Sequence, residues 1–283
     1  MRPVLETILP WGEQGITFIG DPHTFKNETL TQQLKEDLED AKKRNDLIAL
    51  WGDVAEWIVP SDLKRYSAKD NHEVDGIVNY EVDRLRDFYA PYVNNIAIMK
   101  VGNHETQFIK RHHVDPMAML IRDLNRLRDE SLQPIFYGGY TCWWLVKMIQ
   151  YYNEKRVGSQ SVKFWLHHGA GGSAPVTRGA IDRARIADSI SADVYVIGHK
   201  HQSVHINTKH EYLDDYGNVK RKDRDFLIVA GYSGWEQEAP GDNPYALNWS
   251  AESFYGLEST GSATIRLTPT REGMIRDVSR RSR

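Results

Sequence analysis

In the first half of the chain, short runs of consecutive apolar residues alternate with longer segments whose apolar residues return every three or four positions. Gly15 to Gly20, Asp46 to Trp51 and Asn95 to Val101 are the dense runs, and they predict buried strands. Between them, Asn27 to Arg44 carries Leu30, Leu34, Leu38 and Ala41 at helical spacing behind a capping Asn27, and Val74 to Tyr89 reads as a second helix. Asp115 then Pro116 has the form of an N-cap with proline at the first helical position. Met119, Leu120, Leu124 and Leu127 give that helix its apolar stripe, with an end near Glu130. Strand and helix in alternation predict a layered α/β fold.

From about Tyr137 the pattern changes. Thr141 to Tyr152, Ser161 to Leu166, Asp193 to Ile197, Phe226 to Ala230 and Ser262 to Leu267 read as strands separated by polar loops, with one helix-compatible segment at Arg178 to Ile190. An antiparallel component is therefore expected in the second half. No internal repeat or low-complexity linker divides the chain, so residues 1–283 read as one domain. Its basic end, within residues 272–283, reads as a frayed tail.

Just after the apolar runs stand five polar clusters: GDPH at Gly20 to His23, GDVAE at Gly52 to Glu56, GNHE at Gly102 to Glu105, HHG at His167 to Gly169 and GHKH at Gly198 to His201. Ligand-type side chains at five strand ends can converge on one place. Asp21 and His23, two residues apart in a strand-end loop, can grip one ion, and Gly20 permits a tight turn out of the strand. Asp53 has two oxygens and can bridge two cations. Glu56 is either a first-turn helix acid or a residue that orients a ligand histidine, and Trp57 reads as a core aromatic. In GNHE the neutral carbonyl of Asn103 suits a site already rich in negative ligands, which leaves His104 uncoordinated and able to donate a proton. His199 and His201 alternate to one side of GHKH, with Lys200 on the other.

Composition narrows the setting. A chain of 283 residues can bury a core without disulfides or structural zinc. With 36 basic against 39 acidic residues it has no bulk attraction to nucleic acid or anionic membranes, so a polyanionic substrate needs a local patch. The single cysteine, Cys142, lies in an apolar run and reads as a buried strand thiol, which excludes an intrachain disulfide and fits a reducing compartment. The amino terminus has no long apolar stretch, and no window reaches the roughly 18 apolar residues of a membrane helix. A cytoplasmic protein with no membrane partner is expected.

As an ordered set, GDPH, GDVAEW, GNHE, HHG and GHKH resemble the calcineurin-like metallophosphoesterase superfamily, from about residue 15 to 235. That superfamily includes purple acid phosphatases and double-strand-break repair nucleases. The resemblance implies an α/β fold, a four-layer α/β/β/α sandwich of two mixed sheets flanked by helices, with the site on loops at one edge. It implies Asp21, His23, Asp53 and His201 as ligands of one divalent metal ion. Asp53 would bridge to a second ion held by Asn103, His199 and the HHG histidine, with the context favouring His168 and His167 as the alternative. Mn²⁺ is expected first, with Fe or Zn²⁺ also suited to mixed oxygen and nitrogen ligation. The reaction implied is phosphate-ester hydrolysis by a hydroxide made available between the ions, with His104 assisting the leaving oxygen. Glu56 stands where many relatives have aspartate.

The substrate is less defined, because inserted loops supply its contacts. Candidate loops are Ile58 to Asn79, Gln107 to Asp115, Gly169 to Arg178 and Tyr232 to Phe254. Lys110, Arg111, His112 and His113 form either a grip for a polynucleotide backbone or a solvated face. Gly169 to Arg178 resembles a glycine-rich stretch of phage and bacterial members of the superfamily, and Arg178 is the candidate substrate-binding residue. A phosphodiesterase acting on DNA, RNA or a nucleotide is the first expectation. A phosphomonoesterase or a non-catalytic metal-binding scaffold is the alternative.

Overall fold

The computed structural model describes residues 3–26, 29–57, 59, 76–171, 179–233 and 260–280. In chain order the elements are β1 (Val4–Pro10), β2 (Gln14–Ile19), α1 (Thr31–Lys43), β3 (Leu47–Leu50), α2 (Ile77–Tyr89), β4 (Ile96–Met99), α3 (Asn103–His112) and α4 (Pro116–Leu127). They continue with β5 (Phe136–Tyr137), β6 (Thr141–Tyr152), β7 (Lys155–His167), α5 (Ala180–Ala187), β8 (Val194–Ile197), β9 (Val204–Leu213), β10 (Val219–Ile228), β11 (Ala263–Pro269) and β12 (Met274–Arg280).

These strands form two mixed six-stranded sheets, in the orders β1-β6-β7-β8-β10-β9 and β12-β11-β2-β3-β4-β5. Within them β2, β3 and β4 run parallel, as do β7, β8 and β10. Phe18, Ala49, Ile98 and Ile265 of one sheet share a buried core with Trp144, Phe164, Val194 and Leu227 of the other. The outer face of the β2-containing sheet is covered by α1, α2 and α4 through Leu34, Leu38, Leu85, Leu120 and Leu124. On the far side, Ile186 and Ile190 pack over Trp165, Tyr195 and Phe226 of the other sheet. The result is the expected α/β/β/α layering.

Most boundaries follow the apolar pattern, and the differences have physical causes. Helix α4 is capped as expected, with the Asp115 carboxylate accepting from the Ala118 N–H at 2.9 Å. It ends at Leu127 rather than near Glu130 because Arg128 turns extended and its guanidinium donates to the carbonyls of Val93 and, at 2.7 Å, Ile96. Helix α1 starts at Thr31, and the Asn27 cap lies outside the described residues. Cys142 is fully buried and free. No helix among the described residues is long and apolar enough to cross a membrane.

The expected frayed tail is corrected. Residues 274–280 form β12, paired antiparallel with β11 along its whole length. Met274 and Val278 turn onto the core between the sheets, and Arg276 Nε lies 2.7 Å from Asp225 Oδ2 of the other sheet. The tail's basic residues alternate with the ones that pack.

Candidate metal centre

Because β2, β3 and β4 are parallel, and β7 and β8 are parallel, the residues that follow them leave the sheets at one edge. Backbone hydrogen bonds then stitch the loops together. His23 N–H donates to Asp53 O at 3.0 Å, Gly198 N–H to His168 O at 2.9 Å, and His168 N–H to Tyr140 O at 3.0 Å. The motif glycines serve this close approach, which corrects the expected role of Gly20 as a tight turn. A Cβ on Gly20 would lie 2.2 Å from Ala230 O, and one on Gly102 would lie 2.1 Å from Asp53 Oδ1.

The candidate ligands meet around Asp53 and His168. His168 is fully buried. Its Nε2 lies 3.0 Å from Asn103 Oδ1 and 3.3 Å from Asp53 Oδ2, and its Nδ1 lies 3.5 Å from Asp21 Oδ1. His199 joins it, with ring centres 5.2 Å apart, and the ligand atoms of Asp53, His168 and His199 all lie within 4.8 Å of one another. His201 Nε2 is 3.9 Å from Asp21 Oδ2, and its ring centre is 5.5 Å from that of His23. His167 turns away, stacking on Trp165 and accepting the Gly169 N–H. Of the two adjacent histidines, His168 is the one in the cluster. Lys200 faces away as expected, onto Asp182 of α5. Arg178 and most of three of the candidate loops lie outside the described residues, and the fourth forms the second half of α3 rather than a loop.

His104 opens α3, and its backbone N–H donates to Asp53 Oδ1 at 2.8 Å. Its ring is held by Glu56, whose Oε2 lies 3.1 Å from His104 Nδ1. Glu56 Oε1 stands 2.8 Å from His23 Nδ1 as well, close in distance though not aligned for a hydrogen bond. Glu56 therefore lies outside any helix, holds the His104 imidazole and stands beside that of His23. Burial pushes the His104 ring toward neutrality, but the hydrogen bond and charge of Glu56 outweigh it and raise the pKa to about 9.

Two observations bear on the cluster as a candidate cation site. Of the eleven non-glycine residues with positive φ among those described, five are candidate ligands: Asp21, His23, Asp53, His199 and His201. Backbone in this sparsely populated region persists where surrounding structure imposes it, commonly at functional sites. The second is electrostatic. Burial, reinforced by Asp53, raises the Asp21 pKa to about 7 against the pull of His168. Asp53 is buried too, yet its hydrogen bond to and the charge of His168 hold it well below the usual carboxylate range. Burial lowers the His201 pKa to about 3. Asp21 Oδ1 and His168 Nδ1 remain buried with no hydrogen bond to either. Buried carboxylates among imidazoles, with buried polar atoms left without a hydrogen-bond partner, fit a site for divalent cations.

Two further residues position the site, neither with a role assigned from sequence, although Glu105 closes the GNHE cluster. Glu105 is fully buried in the first turn of α3, and its carboxylate accepts from Gly102 N at 2.7 Å, Asp53 N at 2.9 Å, Val54 N at 2.8 Å and Trp57 Nε1 at 3.0 Å. Its place three residues after Gly102 is the spacing of a capping carboxylate, which is the signal that could have found it. Lys100 is also fully buried, with Nζ 3.1 Å from Gly139 O and 3.3 Å from Tyr140 O. That Tyr140 carbonyl is the acceptor of the His168 N–H.

No family model matches the chain, and no curated protein matches it. Among solved structures, a metallophosphoesterase from Sphaerobacter thermophilus is 12% identical, covering 95% of this chain and 90% of its own, with a TM-score of 0.34. GAP50, the anchor in the inner membrane complex of Plasmodium, is 10% identical over 95% of this chain and 85% of its own, with a TM-score of 0.44. Vps29 from Cryptosporidium parvum is 12% identical over 96% and 100%, with a TM-score of 0.32. The chain resembles the calcineurin-like metallophosphoesterases. At these scores the weight of that resemblance falls on the five ordered clusters and their meeting at one sheet edge.

Replacing Glu105 by Gln presents an amide N–H₂ to N–H donors, and a loss of about 2–4 kcal/mol is expected in urea denaturation. Unchanged stability would mean that the loops are held by other contacts. Lys100 gives a pH-dependent case. Burial lowers its pKa from 10.5 to about 8, so between those values the unfolded chain holds a proton that the folded chain has released. Its contribution to stability therefore rises with pH across that window, and below it the folded state carries a cost on the order of 3 kcal/mol. Lys100→Met should be more stable than wild type at pH 7 by about 1–3 kcal/mol, with the gain gone by pH 10.5. A difference that does not vary with pH would contradict this.

Proposed function

We propose that the chain is a dinuclear-metal phosphoesterase, and that its preferred substrate is a phosphodiester of nucleic acid or a nucleotide. The observation that carries this reading is the convergence of Asp21, Asp53, Asn103, His168 and His199 in one buried cluster where Asp21 Oδ1 and His168 Nδ1 lack hydrogen bonds. Asp21, His23, Asp53 and His201 would hold one ion, and Asp53, Asn103, His168 and His199 the other. When bound, a pair such as Mn²⁺, with Fe or Zn²⁺ as alternatives, neutralises phosphoryl oxygens and lowers the pKa of water toward about 7.

The protein's own groups supply the remainder. Glu105 and the start of α3 fix the Asp53 loop, so the bridging carboxylate is preorganised rather than recruited. Glu56 holds His104 at Nδ1, and His104 would donate a proton from Nε2 to the departing alkoxide. Lys100 and Tyr140 set the backbone of His168. Arg178 and the glycine-rich segment before it are assigned to the substrate phosphate on their resemblance to related sequences.

Protein dialysed against chelator and reloaded with Mn²⁺ or Zn²⁺ should regain hydrolysis of bis-p-nitrophenyl phosphate in excess over p-nitrophenyl phosphate. His104→Ala should retain its metal content while losing about 10²- to 10⁴-fold in rate. A preference for the monoester would shift the assignment to a phosphomonoesterase. Full activity in excess chelator, or inertness with two bound metals, would remove the enzymatic reading.

A further inference from the structure

A second cleft lies between α5 and the β9–β10 hairpin. Its volume is about 700 Å³, and none of the candidate metal ligands lines it. Its floor comes from Tyr195 and Phe226, which belong to the small core beneath α5. Strand alternation sets its wall. Phe226 faces α5, so Arg224, two residues earlier on β10, faces the same way, and its cross-strand partner on β9 is Thr208. Lys209 and His210 line the cleft from β9, Arg183 from α5, and Ser189 from the turn after α5.

The charges here are not used up by the fold. Arg224 Nε is buried with no hydrogen-bond partner. Asp225, beside it, is already occupied: Oδ1 by His205 at 3.0 Å and Asn207 at 2.9 Å, and Oδ2 by Arg276 at 2.7 Å. Arg183 and Lys209 make no ion pair among the described residues, and Asp188 is the remaining acid on the lining. A buried guanidinium N–H without an acceptor is costly to leave unmade, and its fork matches the geometry of a phosphate.

We propose that this cleft binds a phosphate-bearing ligand through Arg224 and Arg183, at a site separate from the metal cluster. Lys209 adds charge at its rim, His210 an imidazole N–H, and Ser189 a hydroxyl. The phosphate comes either from a free nucleotide or from a nucleic-acid strand crossing this flank of the sheet. Because no candidate metal ligand lines the cleft, its occupancy does not require catalysis, and the two can be tested apart.

The test is binding measured in excess chelator, where the metal cluster does not contribute. Inorganic phosphate and a nucleoside 5′-monophosphate are titrated by calorimetry, and a short fluorescein-labelled oligodeoxynucleotide by anisotropy. Arg224→Ala should weaken binding by about tenfold or more, Arg224→Lys should recover part of it through charge without the fork, and Asn103→Ala should leave it unchanged. Tighter binding of the oligonucleotide with steep salt dependence identifies a nucleic-acid strand as the source, and equal affinity for the mononucleotide identifies a single phosphate. If thermal melting shows that Arg224→Ala does not fold, Arg183→Ala takes its place with the same expected weakening. Binding of none of the three ligands, or binding that survives loss of the arginine or disappears in Asn103→Ala, overturns the proposal.

Discussion

The carboxylate of Glu105 is the contact on which the candidate centre depends. It ties the loop after β3 to the loop after β4 by accepting from Gly102, Asp53, Val54 and the Trp57 indole. Without it, those N–H groups would be buried and unpaired, and the Asp53 side chain would have no reason to sit where it meets His168, Asn103 and the α3 backbone. Burial and the nearby Asp53 raise the Glu105 pKa, while the N–H donors oppose that rise. The cluster of charged ligands is therefore framed by a charged group that binds no metal itself.

The rest of the centre repeats this exchange of stability for placement. Five candidate ligands adopt positive φ, and two carboxylates, Asp21 and Asp53, are buried against the same imidazole. The backbone strain is held by the surrounding structure, and the cost of burying the two carboxylates is the part that bound positive charge would offset. The four-layer core carries that burden. It packs Trp144, Phe164 and Phe18 between the sheets, and it keeps the strained loops at the edge where the parallel strands end.

Much of this was legible in the sequence, for identifiable reasons. The run Thr141–Tyr152 coincides with β6 because alternate residues of that strand are buried and the turn residues after it are polar. The five clusters stood out because ligand chemistry is carried by residue type and short spacing. The outer halves of β9 and β10 gave no such signal: they form an exposed hairpin whose residues face solvent on both sides, and only the turn at Asp214–Asn218 hints at it. Strand β12 was hidden by its charges, since arginines that reach across to the other sheet look like a solvated tail when read in isolation. Glu105 and Lys100 were missed for a related reason. Apart from Gly102, whose capping spacing was readable, and the Trp57 indole, their partners are backbone groups about forty or fifty residues away, and such groups have no sequence signature.

Lys100 shows how that hidden layer works. A fully buried lysine beside the Trp51 ring is an expensive way to fill a core position, and a methionine of similar shape would pack there at less cost. The position makes sense only through its acceptors. The ammonium fixes the carbonyls of Gly139 and Tyr140, the Tyr140 carbonyl receives the His168 N–H, and the Tyr140 hydroxyl donates to Gly169 O at 2.6 Å on the other side of that histidine. His168 is thus gripped by its backbone from before and after, so that its ring can stand among Asp21, Asp53 and Asn103. The lysine's charge reaches the centre as geometry, through peptide groups.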